Sequence, residues 1–191
     1  MKKYLLVFAT SFVLVSCQKD EVPAPAIVAT TSFLVSGSSM GLHDLFSIEN
    51  KTRVANTDSV SSKWDFGMRF EKFIFNSNAS GMGNAGVQII NTPFDNVTTA
   101  PETGYAYDTT NTRLAITGAQ WYNYNSVTRS FSPIAGRTFV IRTATNKYAK
   151  LEILAADPTD DLGNAVVPPT RPTKIKYTFR LAYQANGTRV F

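Results

Sequence analysis

The stretch Trp64-Asp65-Phe66-Gly67-Met68-Arg69-Phe70 alternates with period two: residues 64, 66, 68 and 70 are apolar, and 65 and 69 are charged. That pattern predicts a strand with one buried face. Asn76-Ser77-Asn78-Ala79-Ser80-Gly81-Met82-Gly83-Asn84-Ala85-Gly86 comes next, then Val87-Gln88-Ile89-Ile90, so Trp64 to Ile90 reads as a strand, a glycine-rich connection and a second strand. Gly81, Gly83 and Gly86 reproduce the spacing G-x-G-x-x-G. A dinucleotide fingerprint must open a helix whose N-terminal amides receive the pyrophosphate. Here a short β-rich run and Pro93 follow instead, so the glycines are read as positions needing φ > 0 or close backbone approach.

Outward from this stretch the signals stay β. Leu42 to Ile48, Tyr105 to Tyr107, Arg113 to Thr117, Trp121 to Tyr124, Arg137 to Thr143 and Tyr148 to Leu154 are short runs rich in β-branched or aromatic residues, separated by turn formers. Arg137–Thr143 and Tyr148–Leu154 flank Ala144-Thr145-Asn146-Lys147 as a hairpin. Lys174 to Tyr183 is the longest alternation, with Ile175, Tyr177, Phe179, Leu181 and Tyr183 on one face. Asn186-Gly187 suits a type I′ turn folding Thr188–Phe191 back onto that strand. No mature stretch of ten or more residues has helical periodicity, so a mostly antiparallel sheet with one wet face is predicted. Asp157 to Pro172, with four prolines, reads as the main irregular loop.

At 191 residues, 43% hydrophobic and 17% charged, the chain suits one domain with a substantial core. Met1-Lys2-Lys3, the apolar run Tyr4–Val15 and Leu14-Val15-Ser16-Cys17 look like a leader closed by a bacterial lipobox, with Cys17 as the lipid attachment site. Residues 1–16 are then a lipoprotein signal peptide, 17–30 a lipidated N-terminus and tether, and 31–191 an all-β ligand-binding domain. Asp20-Glu21 resembles the export signal that places lipoproteins on the outer face of an outer membrane. Val22 to Ala26, with Pro23 and Pro25, is an extended spacer. Removing Lys2 and Lys3 lowers the formal charge of +5 to +3, and the cations are scattered, which argues against nucleic acid. Cys17 is the only cysteine, so no disulfide forms within the chain.

The inventory for catalysis is thin. One histidine, His43, and one cysteine spoken for by lipid rule out Cys-His chemistry and the usual zinc sets. Asp157, Asp160 and Asp161 match no calcium loop and read as a solvated turn. The chain reads as a non-enzyme.

Taken in order, Trp64-Asp65 with Arg69, Ser80-Gly81-Met82-Gly83-Asn84-Ala85-Gly86, Trp121, and the run Arg137 to Leu151 resemble the HmuY family of haem-binding lipoproteins, over about residues 42 to 183. The resemblance implies an all-β, sandwich-like, hand-shaped domain that takes haem or a related porphyrin at the cell surface and passes it to an outer-membrane receptor. Members clamp the iron with two histidines. Here Asp108–Gln120 is too short for the insertion bearing the first, and the second falls at about Asn125 or Ser126. Some relatives use methionine, which raises Met40, Met68 and Met82. Met68 is read as core and Met82 as the candidate thioether and metal ligand, while Tyr122 and Tyr124 offer phenolate or a stacking face. Arg113 and Arg129 are candidates to pair with propionates, and His43 is read as a packing residue. Two functions follow: a surface haem binder, or a non-haem binding or adhesion module on the same scaffold.

Overall fold

A computed structural model describes residues 25–110, 113–127, 130–167 and 170–191. The leader, Cys17 and Arg129 lie outside the described residues. In chain order the strands are β1 (Ile27–Ser36), β2 (Asp44–Ser47), β3 (Thr52–Val54), β4 (Phe66–Arg69), β5 (Lys72–Phe75), β6 (Gly86–Ile90), β7 (Tyr122–Asn125), β8 (Ser130–Pro133), β9 (Thr138–Arg142), β10 (Tyr148–Thr159) and β11 (Lys174–Gln184). They form a five-stranded sheet in the order β1-β11-β10-β9-β6, a four-stranded sheet β3-β2-β4-β5 and the hairpin β7-β8, with antiparallel pairing throughout. The fold is all-β, as the alternation predicts.

The two larger sheets face each other through aromatic rings. Phe179 of β11 meets Phe46 of β2 and Phe66 of β4 at centroid distances of 6.2 and 5.9 Å, and Phe73 of β5 meets Phe139 of β9 at 5.6 Å. Trp121 stands edge-on to Phe73 and Phe131, closing the sandwich where the β7-β8 hairpin begins. The inward face of β11, Ile175 to Tyr183, is buried residue by residue as its alternation requires. The Arg137–Leu154 hairpin also forms, with Asn146 taking the left-handed conformation in its loop.

Several expectations change. The connection after Phe70 contains a strand, β5, which pairs with β4 and completes the second sheet. No glycine, proline or asparagine marks the β4-β5 turn. Phe70 itself takes φ +52°, held by its N–H to the Ser36 carbonyl and by the Tyr177 hydroxyl on its own carbonyl. The glycine-rich connection therefore crosses between sheets. None of Gly81, Gly83 and Gly86 has positive φ, and close approach explains all three. A Cβ at Gly81 would sit 2.7 Å from the Trp64 ring, one at Gly83 2.8 Å from the Asn76 carbonyl oxygen, and one at Gly86 2.8 Å from the Tyr107 ring.

The one-wet-face expectation fails at Asp65, which is buried with Trp64 and Phe66. It fails again in β9, where Thr138 to Ile141 are buried on both sides because the chain from Phe94 to Tyr107 and the C-terminus cover the outer face. Val97, Ala100, Tyr105 and Val140 form a second small core there. Lys150 enters it, donating to the carbonyls of Phe94 and Val97 at 2.8 Å each.

Tyr105–Tyr107 makes only a single bridge, Ala106 to Val87, and Arg113–Thr117 forms no strand. The loop expected from Asp157 starts later, since β10 runs through Pro158 to Thr159. Pro158 is tolerated because its carbonyl accepts from Val166 on the side away from β11, so no β11 ladder bond needs its missing N–H. Asn186 lacks the positive φ a type I′ turn needs, and only Gly187 has it. The tail turns away from β11 and bonds the 98–100 segment instead, with Ala100 N–H to Arg189 and Phe191 N–H to Thr98. β1 begins at Ile27, inside the stretch read as tether, and runs in unbroken register along β11 to Ser36.

Candidate functional site

The β4-β5 turn sets Arg69, Glu71 and Lys72 together at one end of the four-stranded sheet. The β2-β4 register pairs Asp44 with Met68, which brings His43 to the same end. The facing wall is the chain from Leu114 to Gly118. Its position is fixed by Asp108, fully buried, whose carboxylate accepts the N–H of Phe75 at 2.8 Å and of Ala115 at 2.7 Å. Thr117 and Gln120 close a capping box around the short turn that follows. Between these walls lies a cavity of about 320 Å³.

The chemistry of its lining is mixed. Leu114 and buried Ile116 give an apolar side, and Arg69 and Lys72 give two cations. Burial, then the charges of Arg69 and Lys72, outweigh Asp44 and push the His43 imidazole down to about 4, so it is neutral at physiological pH. The Tyr122 ring packs on Gly118, where a Cβ would come within 2.4 Å of it. Burial and then Glu71 raise the Tyr122 pKa, which keeps it a phenol and leaves it a stacking face and not a phenolate.

Among the described residues seven buried side-chain polar atoms lack a hydrogen-bond partner, and three of them, His43 Nε2, Arg69 Nε and Glu71 Oε2, belong to residues that line this one cavity. The other large cavity, about 470 Å³, lies at the opposite end of β4, around Asp65.

The structure brings together only part of the residue set expected from the sequence. Tyr122 does not line the cavity but packs behind its Gly118 wall. Tyr124, 61% exposed, follows it on β7 opposite Phe131. Arg113 is exposed in a turn that bonds Thr109 and Thr110. Met82 is 78% exposed in the connection that packs on Trp64 and Ala144, toward the Asp65 end of β4, and lines neither cavity. Met68 is fully buried in the core. The residues missed by sequence reasoning are Arg69, Glu71 and Lys72, whose grouping depends on a turn that no turn-forming residue announces. His43, read as packing, lines the cavity instead. Asp160 caps its own turn, accepting from the amides of Leu162 and Asn164 at 2.9 Å, as a solvated turn should.

No family model matches the chain, and no curated protein does. Among solved structures it is similar to the apo form of an HmuY analogue from Tannerella forsythia, at 12% identity and a TM-score of 0.47, covering 83% of this chain and 98% of that one. It is similar also to a protein assigned as a lipoprotein from Bacteroides fragilis, at 10% identity and a TM-score of 0.46, covering 78% and 88%. A third, assigned as an HmuY-like haem-binding protein of Bacteroides vulgatus, stands at 11% identity and a TM-score of 0.44, covering 78% and 90%.

Proposed function

We propose that the chain is a lipid-anchored surface protein that holds haem, or a related planar porphyrin, in the cavity between the β4-β5 turn and residues 114–118. The observation that carries this reading is that three residues lining one partly apolar space, His43, Arg69 and Glu71, each keep a buried polar atom without a partner. Each buried orphan costs about 1–3 kcal/mol, so a cavity that collects three of them favours a ligand that meets them.

The lining suits a metalloporphyrin. A neutral imidazole presents one ring nitrogen as a metal donor, and His43 Nε2 has no hydrogen-bond partner. Arg69 and Lys72 match the carboxylate tails, and Glu71 steers those tails to the cationic side by repulsion. Leu114 and Ile116 match the apolar macrocycle, and the Tyr122 ring backs the Gly118 wall. Bound haem would supply a Lewis-acidic iron, and His43 is the residue that would hold it. In this reading Cys17 carries the lipid, residues 18–26 are the tether, and the site faces outward from an outer membrane, where a receptor can collect the ligand.

Titration of purified protein lacking the leader with haemin, followed at the Soret band, tests the proposal. We expect saturable binding with a shifted band, which His43→Ala weakens by about tenfold or more, the loss of about 1.4 kcal/mol, while Met82→Ala leaves it unchanged. An unaltered haemin spectrum would sink the reading in favour of a non-haem binding or adhesion module. A spectrum that moves in Met82→Ala but not in His43→Ala would move the site to the glycine connection.

A further inference from the structure

The cavity at the other end of β4 is polar and is built differently. Its buried groups are Asp65, 6% exposed, Tyr183, 2%, Ser47 and Thr143, with Glu49 and Thr145 around them. The two cations on its lining are already engaged. Arg53 turns to Asp44 and the Leu34 carbonyl while its guanidinium lies over the Phe33 ring, and Lys63 bonds Asp58 at 2.9 Å. Lys147 approaches Glu49 at 3.8 Å from the side, its ammonium over the Tyr183 ring.

Among the described residues, the carboxylate of Asp65 therefore has two backbone N–H donors, from Ile48 and Ala144, and no paired cation. The Tyr183 hydroxyl meets no partner at full hydrogen-bond geometry, although the Glu49 carboxylate approaches it. A buried carboxylate lacking a counter-charge and a buried phenol oxygen lacking a donor, on residues that line one cavity, share a single complement: a positive group bearing several N–H bonds.

We propose that this cavity binds a small organic cation, an alkylammonium or guanidinium group such as ends a lysine or arginine side chain, with Asp65 and Glu49 balancing its charge and Tyr183 accepting an N–H. The site is separate from the porphyrin cavity, and neither proposal depends on the other. A ligand here would replace the missing counter-charge of Asp65, so its affinity rises with pH as that carboxyl ionises. The groups around Asp65 that set this are Glu49 and Tyr183 from the cavity wall, with Arg53 and the Lys63–Asp58 pair at its rim and Lys147 beside Glu49.

The test is an NMR titration of the chain with methylguanidinium and n-butylammonium, following the amides of Ile48 and Ala144. Expected are saturable shifts at both amides, tighter at pH 7.5 than at pH 5, and an affinity about tenfold weaker in Tyr183→Phe and in Glu49→Gln, the loss of one charge-assisted hydrogen bond. Both variants leave the Asp65 bonds in place, so each can be checked for an unchanged fold by its remaining amide spectrum. Absence of saturable shifts up to about 50 mM, a Kd range expected only for contacts weaker than one such bond, overturns the proposal. Equal shifts with n-butanol overturn it too, as do affinities unmoved by both variants.

Discussion

Asp65→Ala is expected to destabilise the fold by about 2–6 kcal/mol, because it orphans two buried N–H donors at about 1–3 kcal/mol each. Asp65 joins three parts of the chain: its Oδ2 takes the Ile48 N–H after β2 at 2.7 Å, its Oδ1 takes the Ala144 N–H from the β9-β10 loop at 2.9 Å, and its own backbone pairs with Phe46 and Asn76. The carboxyl thus ties the second sheet to the first. Burial raises its pKa to about 6, against the lowering effect of those two bonds, with Glu49 adding to the rise. The unfolded value is near 3.8, so the folded state holds the proton more tightly, and the carboxyl's contribution is full below about pH 4 and shrinks as pH rises through 6. Denaturant melts of the wild type and Asp65→Ala should show a gap that is widest below about pH 4 and narrower by up to about 3 kcal/mol at pH 7.5, at about 1.4 kcal/mol per unit of pKa shift. A gap that widens with rising pH would contradict this account of the carboxyl.

Asn76→Ala is expected to cost about 3–5 kcal/mol, in the range of breaking a buried polar network, and to lower Tm by about 6–20 °C. Asn76 is fully buried, and its amide spends every donor and its oxygen. Nδ2 donates to the carbonyls of Ser61 and Trp64 at 2.8 and 2.6 Å, and Oδ1 accepts the Gly83 N–H at 2.9 Å. The same residue's backbone bonds Asp65 and Ala85, so the glycine connection is wrapped around it. Asn76→Asp is nearly isosteric but points an oxygen at two carbonyls, and should be at least as damaging as alanine. Thermal melts separate the two ideas: if aspartate restores stability toward wild type, packing and not the hydrogen-bond pattern matters at this position.

What the sequence shows of this protein is what alternation shows. β11 is readable because each of Ile175, Tyr177, Phe179, Leu181 and Tyr183 goes inward, and a period-two run of that length has one interpretation. The Asn146 hairpin is readable because its turn residue suits a positive φ. β5 is hidden, because its turn is made by Phe70 and held by bonds from Ser36 and Tyr177, residues distant in the chain. β1 is hidden by a polar run, Thr30-Thr31-Ser32, that strand pairing tolerates at an edge but that carries little apolar pattern of its own. Asp65 and Asp108 look like surface charges in a linear reading. Their burial is made possible by backbone donors on other elements, which no local window contains.

The candidate site follows the same logic. Tyr122 stands out by aromatic type beside a second tryptophan, and it packs behind the cavity wall at Gly118 without lining the cavity. His43 is separated from Arg69 by 26 positions, and only the β2-β4 register makes them neighbours at one sheet end. Met82 drew attention for a thioether in a glycine turn, yet that turn is anchored on Asn76 and Trp64 and leaves the methionine facing solvent.

The placement of the ligand is the claim on which the functional account rests, and paramagnetic broadening by ferric haem tests it most directly. In an amide spectrum of the haemin-saturated protein, the signals of His43, Arg69, Lys72 and Ile116 should be broadened beyond detection while those of Met82 to Ala85 persist. Broadening centred on Met82 to Ala85, or an unchanged spectrum at saturating haemin, would contradict it.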